Sequence, residues 1–542
     1  MLGLMMDKPL LISSILDHAA KYHGGTEIVS RTVEGPLHRY TYADAAVRAK
    51  KLAQALRRLG IGDGDRVATL AWNGYRHFEL YYGVSGMGAV CHMVNPRLFS
   101  GQISYILNHA EDKIVFADLT FVQLLEEIAP EAASVKAFVV MTDEANMPDT
   151  SLPHVHCYET LLAAEDGDCE WPQFDENTAS SMCYSSGTTG NPKGVLYSHR
   201  STVLHAWAAV TPDMLNISAA DAIMPAVPMF HVNAWGVPYM APAAGCKLVL
   251  PGPNLDGESL AKLIDSEGVT LALGVPTIWM GLLQALEKLG SKADSLKRTV
   301  IGGSACPPSM IRAFREKYGV EVMHAWGMTE TSPLGTLNNL LNKHDALSED
   351  DQYKIREGQG RPPFGVELRI IDSEGHVLPQ DGVTQGELQI RGHWIVDTYF
   401  KVEKTALTMD GWFDTGDVAT IDPNGFMIIR DRSKDIIKSG GEWISTVELE
   451  NIAIGHPEVA NAAAIAARHE KWDERPVLVV LPAAGATPTE EQILAFYEGK
   501  IAKWQVPDKV IFVDALPIGG TGKVLKNKLR EQFGEVLIEA AE

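Results

Sequence analysis

Short apolar runs alternate with amphipathic stretches from about residue 40 to residue 340 of the chain. The periodicity predicts a helix from Tyr42 to Leu59, a short buried strand at Arg66–Leu70 and a second helix from Glu79 to Met87. The same order of strand and helix recurs near residues 114–128, 221–245 and 269–289. This alternation predicts a layered α/β domain, in which helices cover the faces of a sheet.

The second half of the chain has a different pattern. Residues 368–392 are rich in strand-forming side chains, and the run Asp422-Pro423-Asn424-Gly425 predicts a hairpin turn between two apolar segments. The acidic stretch 343–356 predicts a surface loop. A charged connector at 431–435 precedes a segment that is long enough for one small α+β domain. Because 542 residues are too many for one hydrophobic core, we expect at least two domains.

The stretch from Tyr184 to Gly194 is rich in glycine and hydroxyl side chains and contains one lysine, Lys193. Glycines let the backbone approach an anion closely, hydroxyls donate hydrogen bonds and the lysine adds charge, so the loop suits a polyphosphate. Its spacing does not fit the common P-loop, which needs a Gly-Lys-Ser/Thr run that opens a helix. Residues Val195 to His199 predict a strand, so we expect the loop to join two strands. A flexible linker is the alternative, and the apolar flanks argue against it.

Two further clusters follow predicted strands. In the stretch 324–331, Trp326 can stack on a purine, Thr329 suits a phosphate oxygen and Glu330 suits a hard cation. The pair Gly302-Gly303 lets a flat ligand lie on the backbone. Taken singly, these residues are also typical of core aromatics, surface carboxylates and turns.

Three more clusters lie in the last third of the chain. Residues 411–417 end in Asp417, whose carboxylate can accept hydrogen bonds from vicinal ribose hydroxyls. Residues 431–442 combine cationic side chains with a glycine pair, and residues 519–523 form a loop that carries Lys523. A solvated turn carboxylate and a solvated lysine are the alternatives for Asp417 and Lys523.

The composition excludes several classes of protein. A net charge of −22 argues against non-specific binding to nucleic acid or anionic membranes. The six cysteines are scattered without a Cys-x-x-Cys pair, which argues against a zinc site or a disulfide framework. No apolar run reaches the roughly 18 residues of a spanning helix, and the N-terminus lacks the features of a signal peptide. We therefore expect a cytoplasmic location.

In this order, the glycine loop, the Trp-Gly-Met-Thr-Glu run, the Gly-Trp-Phe-Asp-Thr-Gly-Asp run and the terminal Gly-Lys resemble the adenylate-forming superfamily. This superfamily includes acyl-CoA synthetases, luciferases and peptide-synthetase adenylation domains, and the resemblance covers about residues 30 to 530. The segment 228–235, Pro-Met-Phe-His-Val-Asn-Ala-Trp, is similar to the medium- and long-chain fatty acyl-CoA synthetase branch. As a whole, the chain resembles the 3-methylmercaptopropionate–CoA ligases of dimethylsulfoniopropionate breakdown within that branch.

The resemblance implies ligation of a carboxylic acid to coenzyme A at the expense of ATP, through an acyl-adenylate, with Mg²⁺ as the metal. It implies 3-methylmercaptopropionate as the acid, with medium- or long-chain fatty acids as the alternative, and no nucleic-acid partner. It also implies a homodimer, a large α/β N-terminal domain over 1–430, a hinge at 431–436 and a small α+β lid over 437–542.

The resemblance also assigns roles to individual residues. The catalytic set is Lys523, Thr329, Glu330 and His231. The metal set is Glu330 and Thr188. Nucleotide and coenzyme A contacts are assigned to Ser185, Ser186, Gly187, Thr188, Thr189, Gly190, Lys193, Gly302, Gly303, Ser304, Ala325, Trp326, Gly327, Met328, Asp417, Arg432, Lys438, Gly440 and Gly441. The acyl pocket is assigned to His231, Trp235, Gly302, Gly327, Met328 and Pro333, and the hinge to Lys434.

Within these sets, Trp326 would stack on adenine, where many members of the superfamily have tyrosine. Asp417 and Arg432 would hold the ribose hydroxyls. Lys523 would reach the carboxylate and the α-phosphate from the lid, and Trp235 would gate the acyl tunnel.

Three other functions fit parts of the pattern. A luciferase-like or carrier-loading enzyme would adenylate an acid without depending on coenzyme A. A P-loop ATPase would release ADP rather than AMP, and the loop spacing argues against it. A nucleotide-binding sensor would not need the lid lysine, so the presence of Lys523 with Glu330, Asp417 and Arg432 argues against that class.

Overall fold

The structure is a computed structural model that describes residues 1, 3–185, 191–440, 442–519 and 523–538. Of the predicted site residues, Ser186, Gly187, Thr188, Thr189, Gly190 and Gly441 lie outside these ranges. The described part of the chain contains both helices and strands throughout, and the predicted mixed α/β architecture is confirmed. Among the helices of this part, none has the length and hydrophobicity needed to span a lipid bilayer.

The α-helices of the described ranges are, in chain order, α1 (Ser13–Tyr22), α2 (Tyr42–Arg58), α3 (Tyr75–Gly86), α4 (Ser100–Ala110), α5 (Val122–Ile128), α6 (Tyr158–Ala163), α7 (His199–Val210), α8 (Val237–Ala244), α9 (Gly257–Glu267), α10 (Pro276–Leu289), α11 (Pro308–Tyr318), α12 (Glu349–Glu357), α13 (Thr446–Ile454), α14 (Glu490–Ala495) and α15 (Lys526–Phe533).

The strands of the same ranges are β1 (Glu27–Arg31), β2 (Leu37–Thr41), β3 (Arg66–Leu70), β4 (Val90–Met93), β5 (Ile114–Ala117), β6 (Ala137–Val140), β7 (Val155–Cys157), β8 (Ala179–Tyr184), β9 (Gly194–Ser198), β10 (Ala222–Pro225), β11 (Lys247–Leu250), β12 (Leu271–Gly274), β13 (Arg298–Ile301), β14 (Glu321–Gly327), β15 (Leu334–Leu337) and β16 (Val366–Ile371). The remaining strands are β17 (Gly386–Gly392), β18 (Phe413–Ile421), β19 (Met427–Arg432), β20 (Ile437–Ser439), β21 (Glu442–Ile444), β22 (Val459–His469), β23 (Asp473–Pro482) and β24 (Lys509–Phe512).

Two large sheets form the first part of the molecule. One has the order β7-β6-β5-β3-β4-β8-β9, and the other has the order β15-β14-β13-β12-β10-β11-β1-β2. Parallel pairs form the interior of both sheets, and β8–β9, β14–β15 and β1–β2 are antiparallel pairs at their edges. Strands such as β5 and β12 are buried at every position, because helices cover both faces of a parallel sheet.

The two smaller sheets follow in the chain. Strands β16, β17, β18 and β19 form an antiparallel sheet in that order, and the predicted hairpin at Asp422–Gly425 joins its last two strands. Strands β21, β20, β23 and β22 form the last sheet, with β24 beside β23. The last sheet and the helices α13, α14 and α15 make up the C-terminal part of the described chain.

Several elements of the first half lie where the sequence predicted them. Strand β3 spans the predicted residues, and helix α3 begins at Tyr75, before the predicted start at Glu79. The prediction of a surface loop at 343–356 was wrong, because helix α12 lies there. Ser348 caps this helix by accepting a hydrogen bond from the backbone N–H of Asp351, acidic residues fill its first turn, and Tyr353 is buried.

Candidate active site

The glycine loop lies between two paired strands, as predicted. Strand β8 ends at Tyr184 and β9 begins at Gly194, and these two residues face each other in the antiparallel ladder. One step further, the Ser185 N–H donates to the Lys193 carbonyl at 2.9 Å. The hydroxyl of Tyr184 pairs with Nδ1 of His109 at 2.7 Å. The base of the loop is therefore fixed on both sides.

Lys193 is linked to Glu330 through one aromatic side chain. The Lys193 ammonium lies 4.8 Å from the ring centroid of Tyr399, in a cation–π contact. The Tyr399 hydroxyl donates to Oε1 of Glu330 at 2.9 Å. Tyr399 thus connects the exit of the glycine loop to the turn that follows β14.

Thr329 and Glu330 lie in that turn, and both are buried. The Tyr197 hydroxyl, on β9, donates to the Thr329 carbonyl at 2.8 Å. The Val396 N–H donates to the Glu330 carbonyl at 2.9 Å. These bonds hold the turn against β9 on one side and against the segment after β17 on the other.

Asp417 is the centre of a second group of predicted residues. It is opposite Arg432 in the β18–β19 ladder, and the Arg432 Nε lies 2.9 Å from its Oδ1. The indole N–H of Trp326 donates to its Oδ2, also at 2.9 Å. Burial raises the pKa of the Asp417 carboxyl, while Arg432, the Trp326 hydrogen bond and the charge of Lys523 oppose that shift.

Lys523 lies close enough to this group to affect its titration. The residue keeps an exposed surface, yet the many protein atoms around its ammonium lower its pKa to about 8. The charges of Arg432 and Lys434 contribute to this lowering of the pKa, and the charge of Asp417 opposes it. Burial, followed by the charge of Lys523, lowers the pKa of His231 to about 4, so the imidazole is neutral near pH 7.

Two of the predicted acyl-pocket residues, Trp235 and Gly302, lie in contact. A Cβ added to Gly302 would lie 3.1 Å from Cη2 of Trp235 and 3.0 Å from the Ala325 carbonyl oxygen. A Cβ on Gly303 would lie 3.8 Å from the same indole, and Ser304 is the exposed residue that follows. The indole edge of Trp235 therefore packs directly on the glycine pair.

Gly327 and Pro333 form a second contact among these predicted residues. Gly327 packs against the backbone of Pro333, so that no side chain fits there. Met328 is half-buried and packs against the main hydrophobic core. Both residues lie at or beyond the end of β14, where the sequence predicted the binding cluster.

Trp235 lies in a turn whose backbone is left-handed. Val232, Asn233, Ala234 and Trp235 have φ angles of 39°, 45°, 48° and 55°, and Gly236 follows at 84°. A left-handed conformation costs L-residues about 1–2 kcal/mol each, and a β-branched valine is a clear outlier there. The turn therefore needs compensating contacts, and these come from the side chain of Asn233.

The remaining predicted residues lie in the last sheet or just before it. Lys438 is exposed on β20, and its backbone N–H donates to Oε2 of Glu474 at 2.8 Å. Gly440 has a φ of 59° and packs on the ring of Trp472. Lys434 is exposed between β19 and β20, and burial together with the charge of Arg432 lowers its pKa. Lys438 and Gly440 thus pack on the C-terminal sheet rather than on the Asp417 group.

Two parts of the chain match known domains. Residues 16–400 match the AMP-binding enzyme family, and residues 448–523 match the AMP-binding enzyme C-terminal domain. The chain belongs to this family of AMP-binding enzymes. The family membership confirms the resemblance of the motifs to adenylate-forming enzymes.

Relatives match over the full length. A 3-methylmercaptopropionyl-CoA ligase of Ruegeria lacuscaerulensis is 59% identical over 537 residues, which are 99% of this chain and 100% of the relative. A medium-chain-fatty-acid–CoA ligase of Ectopseudomonas oleovorans is 56% identical over 541 residues, which are 100% of this chain and 99% of the relative. These similarities confirm the prediction that the chain belongs to the acyl-CoA synthetase branch.

A solved structure shows the same fold. An anthranilate CoA ligase in complex with anthranoyl-AMP superposes with a TM-score of 0.86 and covers 98% of this chain and 99% of its own. Its sequence identity is 23%, so this likeness bears on the fold alone.

Several residues lie in the site although no pattern in the sequence predicts their place there. Tyr399 is 69 positions from Glu330 along the chain, and a lone tyrosine after a strand predicts nothing about a distant carboxylate. Tyr197 was assigned only to a strand. Gly335 is beneath the ring of Trp326, where an added Cβ would lie 2.5 Å from Cε3. Asn233 lies within the segment 228–235, but the left-handed backbone of its turn cannot be inferred from the spacing of residues along the chain.

We expect Gly335→Ala to weaken nucleotide binding by at least tenfold. The new methyl group would overlap the indole of Trp326 and displace its N–H from Asp417. Binding of AMP, measured by calorimetry, is the test. Gly101→Ala is the matched control, because a Cβ there meets nothing within 4 Å. Equal affinities of both variants and the unmodified protein would contradict the role of Gly335.

Proposed function

We propose that the protein is an AMP-forming acyl-CoA ligase that converts a carboxylate, ATP and coenzyme A into acyl-CoA, AMP and diphosphate. We further propose 3-methylmercaptopropionate as its acid. The grouping of Trp326, Asp417, Arg432 and Lys523 from four parts of the chain carries the proposal. The full-length similarity to a 3-methylmercaptopropionyl-CoA ligase supports the choice of acid.

In the first half-reaction, a carboxylate oxygen attacks the α-phosphorus of ATP, and diphosphate leaves. Ser185 and Lys193, with the intervening loop, would hold the β- and γ-phosphates. Trp326 would stack on adenine beside the backbone of Gly302 to Ser304, while Asp417 would accept hydrogen bonds from the ribose hydroxyls together with Arg432. Because Asp417 is already fixed by Trp326 and Arg432, it needs little reordering on binding.

Of the two residues assigned to the metal, Glu330 lies within the described ranges, and its side chain fits Mg²⁺. Its carboxylate is buried, Tyr399 occupies Oε1, and no hydrogen bond from another described residue reaches Oε2. Carboxylate oxygen is the ligand type that Mg²⁺ prefers. Thr188 would be a second ligand. The bound ion would neutralise phosphate charge, and Thr329 would contact the α-phosphate from the same turn.

Lys523 and His231 would act on the reacting groups themselves. The carboxylate and the phosphate are both anions, so a cation between them lowers the barrier to their approach. Lys523 carries that charge below its pKa of about 8. His231, which is neutral, would border the carboxylate without adding charge. Trp235, Gly302, Gly327, Met328 and Pro333 would enclose the acyl chain.

In the second half-reaction, the thiol of coenzyme A attacks the acyl carbonyl, and AMP leaves. We propose that the lid, residues 437–542, turns about a hinge at 431–436 centred on Lys434, and brings Lys438, Gly440 and Gly441 to the pantetheine. Asp431 accepts hydrogen bonds from the N–H and hydroxyl of Thr446, at 2.6 and 3.0 Å. Because Lys434 lies between these two residues in the chain, a turn about it would break both bonds.

The homodimer and the cytoplasmic location remain parts of the proposal, as does a role in dimethylsulfoniopropionate breakdown. The second candidate for the acid is a medium- or long-chain fatty acid. The 56% identity to a medium-chain-fatty-acid–CoA ligase favours it. The chemistry at the phosphate and ribose sites is the same for both candidates, so only the acyl pocket distinguishes them.

The identity of the acid can be tested directly. AMP and diphosphate release would be measured with Mg-ATP and coenzyme A over straight-chain acids from acetate to palmitate, together with 3-methylmercaptopropionate. We expect the highest kcat/KM with 3-methylmercaptopropionate or its isostere pentanoate. A maximum at longer chains would favour the second candidate, and release of ADP or an absence of AMP with every acid would contradict the proposed function.

We expect Lys523→Ala to reduce acyl-adenylate formation by about 10²- to 10³-fold, the effect of losing one positioned donor in the transition state. Diphosphate exchange measures this step. Thioester formation from supplied acyl-AMP should change little, because the proposed turn of the lid carries Lys523 away from the reacting groups before that step. Equal losses in both steps would contradict the assignment.

The lowered pKa of Lys523 predicts that adenylate formation depends on pH. Its pKa is lowered to about 8, so its charged form predominates below that pH and is lost above it. The kcat/KM for ATP in adenylate formation, which reports the pKa values of the protein without nucleotide, should therefore fall as pH rises through 8, approaching tenfold per pH unit. The Lys523→Arg variant keeps its charge over this range and should lack that fall. Identical pH profiles for the two proteins would contradict the role of the ammonium charge.

A further inference from the structure

The buried side chain of Asn233 joins the left-handed turn 232–236 to strand β8. Nδ2 of Asn233 donates to Oγ of Ser181 at 3.0 Å, and Oδ1 of Asn233 accepts from the Cys183 thiol at 3.2 Å. All three residues are buried. Burial raises the pKa of Cys183 to about 12, so the sulfur remains a protonated donor. Both ends of the amide are therefore used.

The two partners lie on one face of a single strand. Ser181 and Cys183 are two positions apart on β8, so both side chains point to the same side of the sheet. Strand β8 is fixed by β4 on one edge and by β9 on the other. Asn233 thus ties a strained turn to a rigid element.

The hand of the turn decides where Trp235 lies. Trp235 is in the same left-handed run as Asn233, and its indole edge packs on Gly302 and Gly303. If the turn relaxed to right-handed backbone, the side chains after Asn233 would project in other directions. The contact of the indole with the glycine pair therefore depends on the hydrogen bonds of Asn233.

We propose that Asn233 is a specificity-determining positioning residue. Its amide holds the turn in the left-handed form, and the turn holds Trp235 as a wall of the acyl pocket. This rests on the proposed function, because it assigns Trp235 to that pocket. Its consequence is that the range of acids is set partly by two hydrogen bonds that no substrate touches.

Substitution by glycine separates two roles of Asn233. Asparagine tolerates left-handed backbone better than most residues, and glycine tolerates it better still. The Asn233→Gly variant therefore keeps the backbone preference and loses both hydrogen bonds. If backbone preference alone mattered, this variant would behave as the unmodified protein does.

The experiment compares kcat/KM for decanoate and pentanoate in the unmodified protein, Asn233→Gly and Ser181→Ala. We expect the ratio of decanoate to pentanoate to rise at least tenfold in Asn233→Gly and at least threefold in Ser181→Ala. The KM for ATP should stay within twofold, because the nucleotide contacts are unchanged. Ser181→Ala removes one hydrogen bond without changing the turn sequence, so it serves as the test if Asn233→Gly does not fold.

Asn216→Gly is the matched control. Asn216 also has a left-handed φ, of 49°, but it is exposed. Its replacement should leave the ratio unchanged. An unchanged ratio in folded Asn233→Gly and Ser181→Ala, or equal losses with both acids, would overturn the proposal. If the unmodified protein forms no AMP with any acid, the proposed function fails first, which separates the two failures.

Discussion

The candidate site depends most on the contacts that the buried carboxylate of Asp417 makes. A carboxylate in the protein interior is costly unless its hydrogen bonds and charge are satisfied. Arg432, Trp326 and Lys523 provide these, and they come from β19, β14 and the C-terminal loop. Asp417 therefore joins the largest sheet to the antiparallel sheet, and its charge also acts on the lysine of the C-terminal part.

A second connection joins the glycine loop to the same region. Tyr399 contacts Lys193 with its ring and Glu330 with its hydroxyl. The next residue, Phe400, donates its N–H to the Gly194 carbonyl at 2.9 Å. A shift of the loop would therefore be transmitted to the turn that holds Glu330. The groups proposed to bind the phosphates and the metal form one connected unit rather than two separate loops.

The sequence predicted those features that depend on local pattern. Apolar runs such as Arg66–Leu70 became strands with the expected bounds, and the glycine loop was correctly placed between two strands. Helix α12 was missed because its acidic composition suggested a solvated loop, whereas acidic residues in a first turn also stabilise a helix. Tyr399, Gly335 and the hand of the turn at Asn233 depend on contacts between distant segments, which spacing along the chain does not encode.

The charge distribution explains how an acidic protein can bind a polyanion. The net charge is −22, yet Arg432, Lys434 and Lys523 lie close enough for the first two to lower the pKa of the third. These cations repel one another, and the carboxylate of Asp417 offsets part of that repulsion. A bound triphosphate would relieve that repulsion and raise the pKa of Lys523, and by thermodynamic linkage the charged lysine would bind it more tightly. The nucleotide would thus stabilise the lid position proposed for adenylate formation, and release of diphosphate would weaken that stabilisation before the proposed second half-reaction.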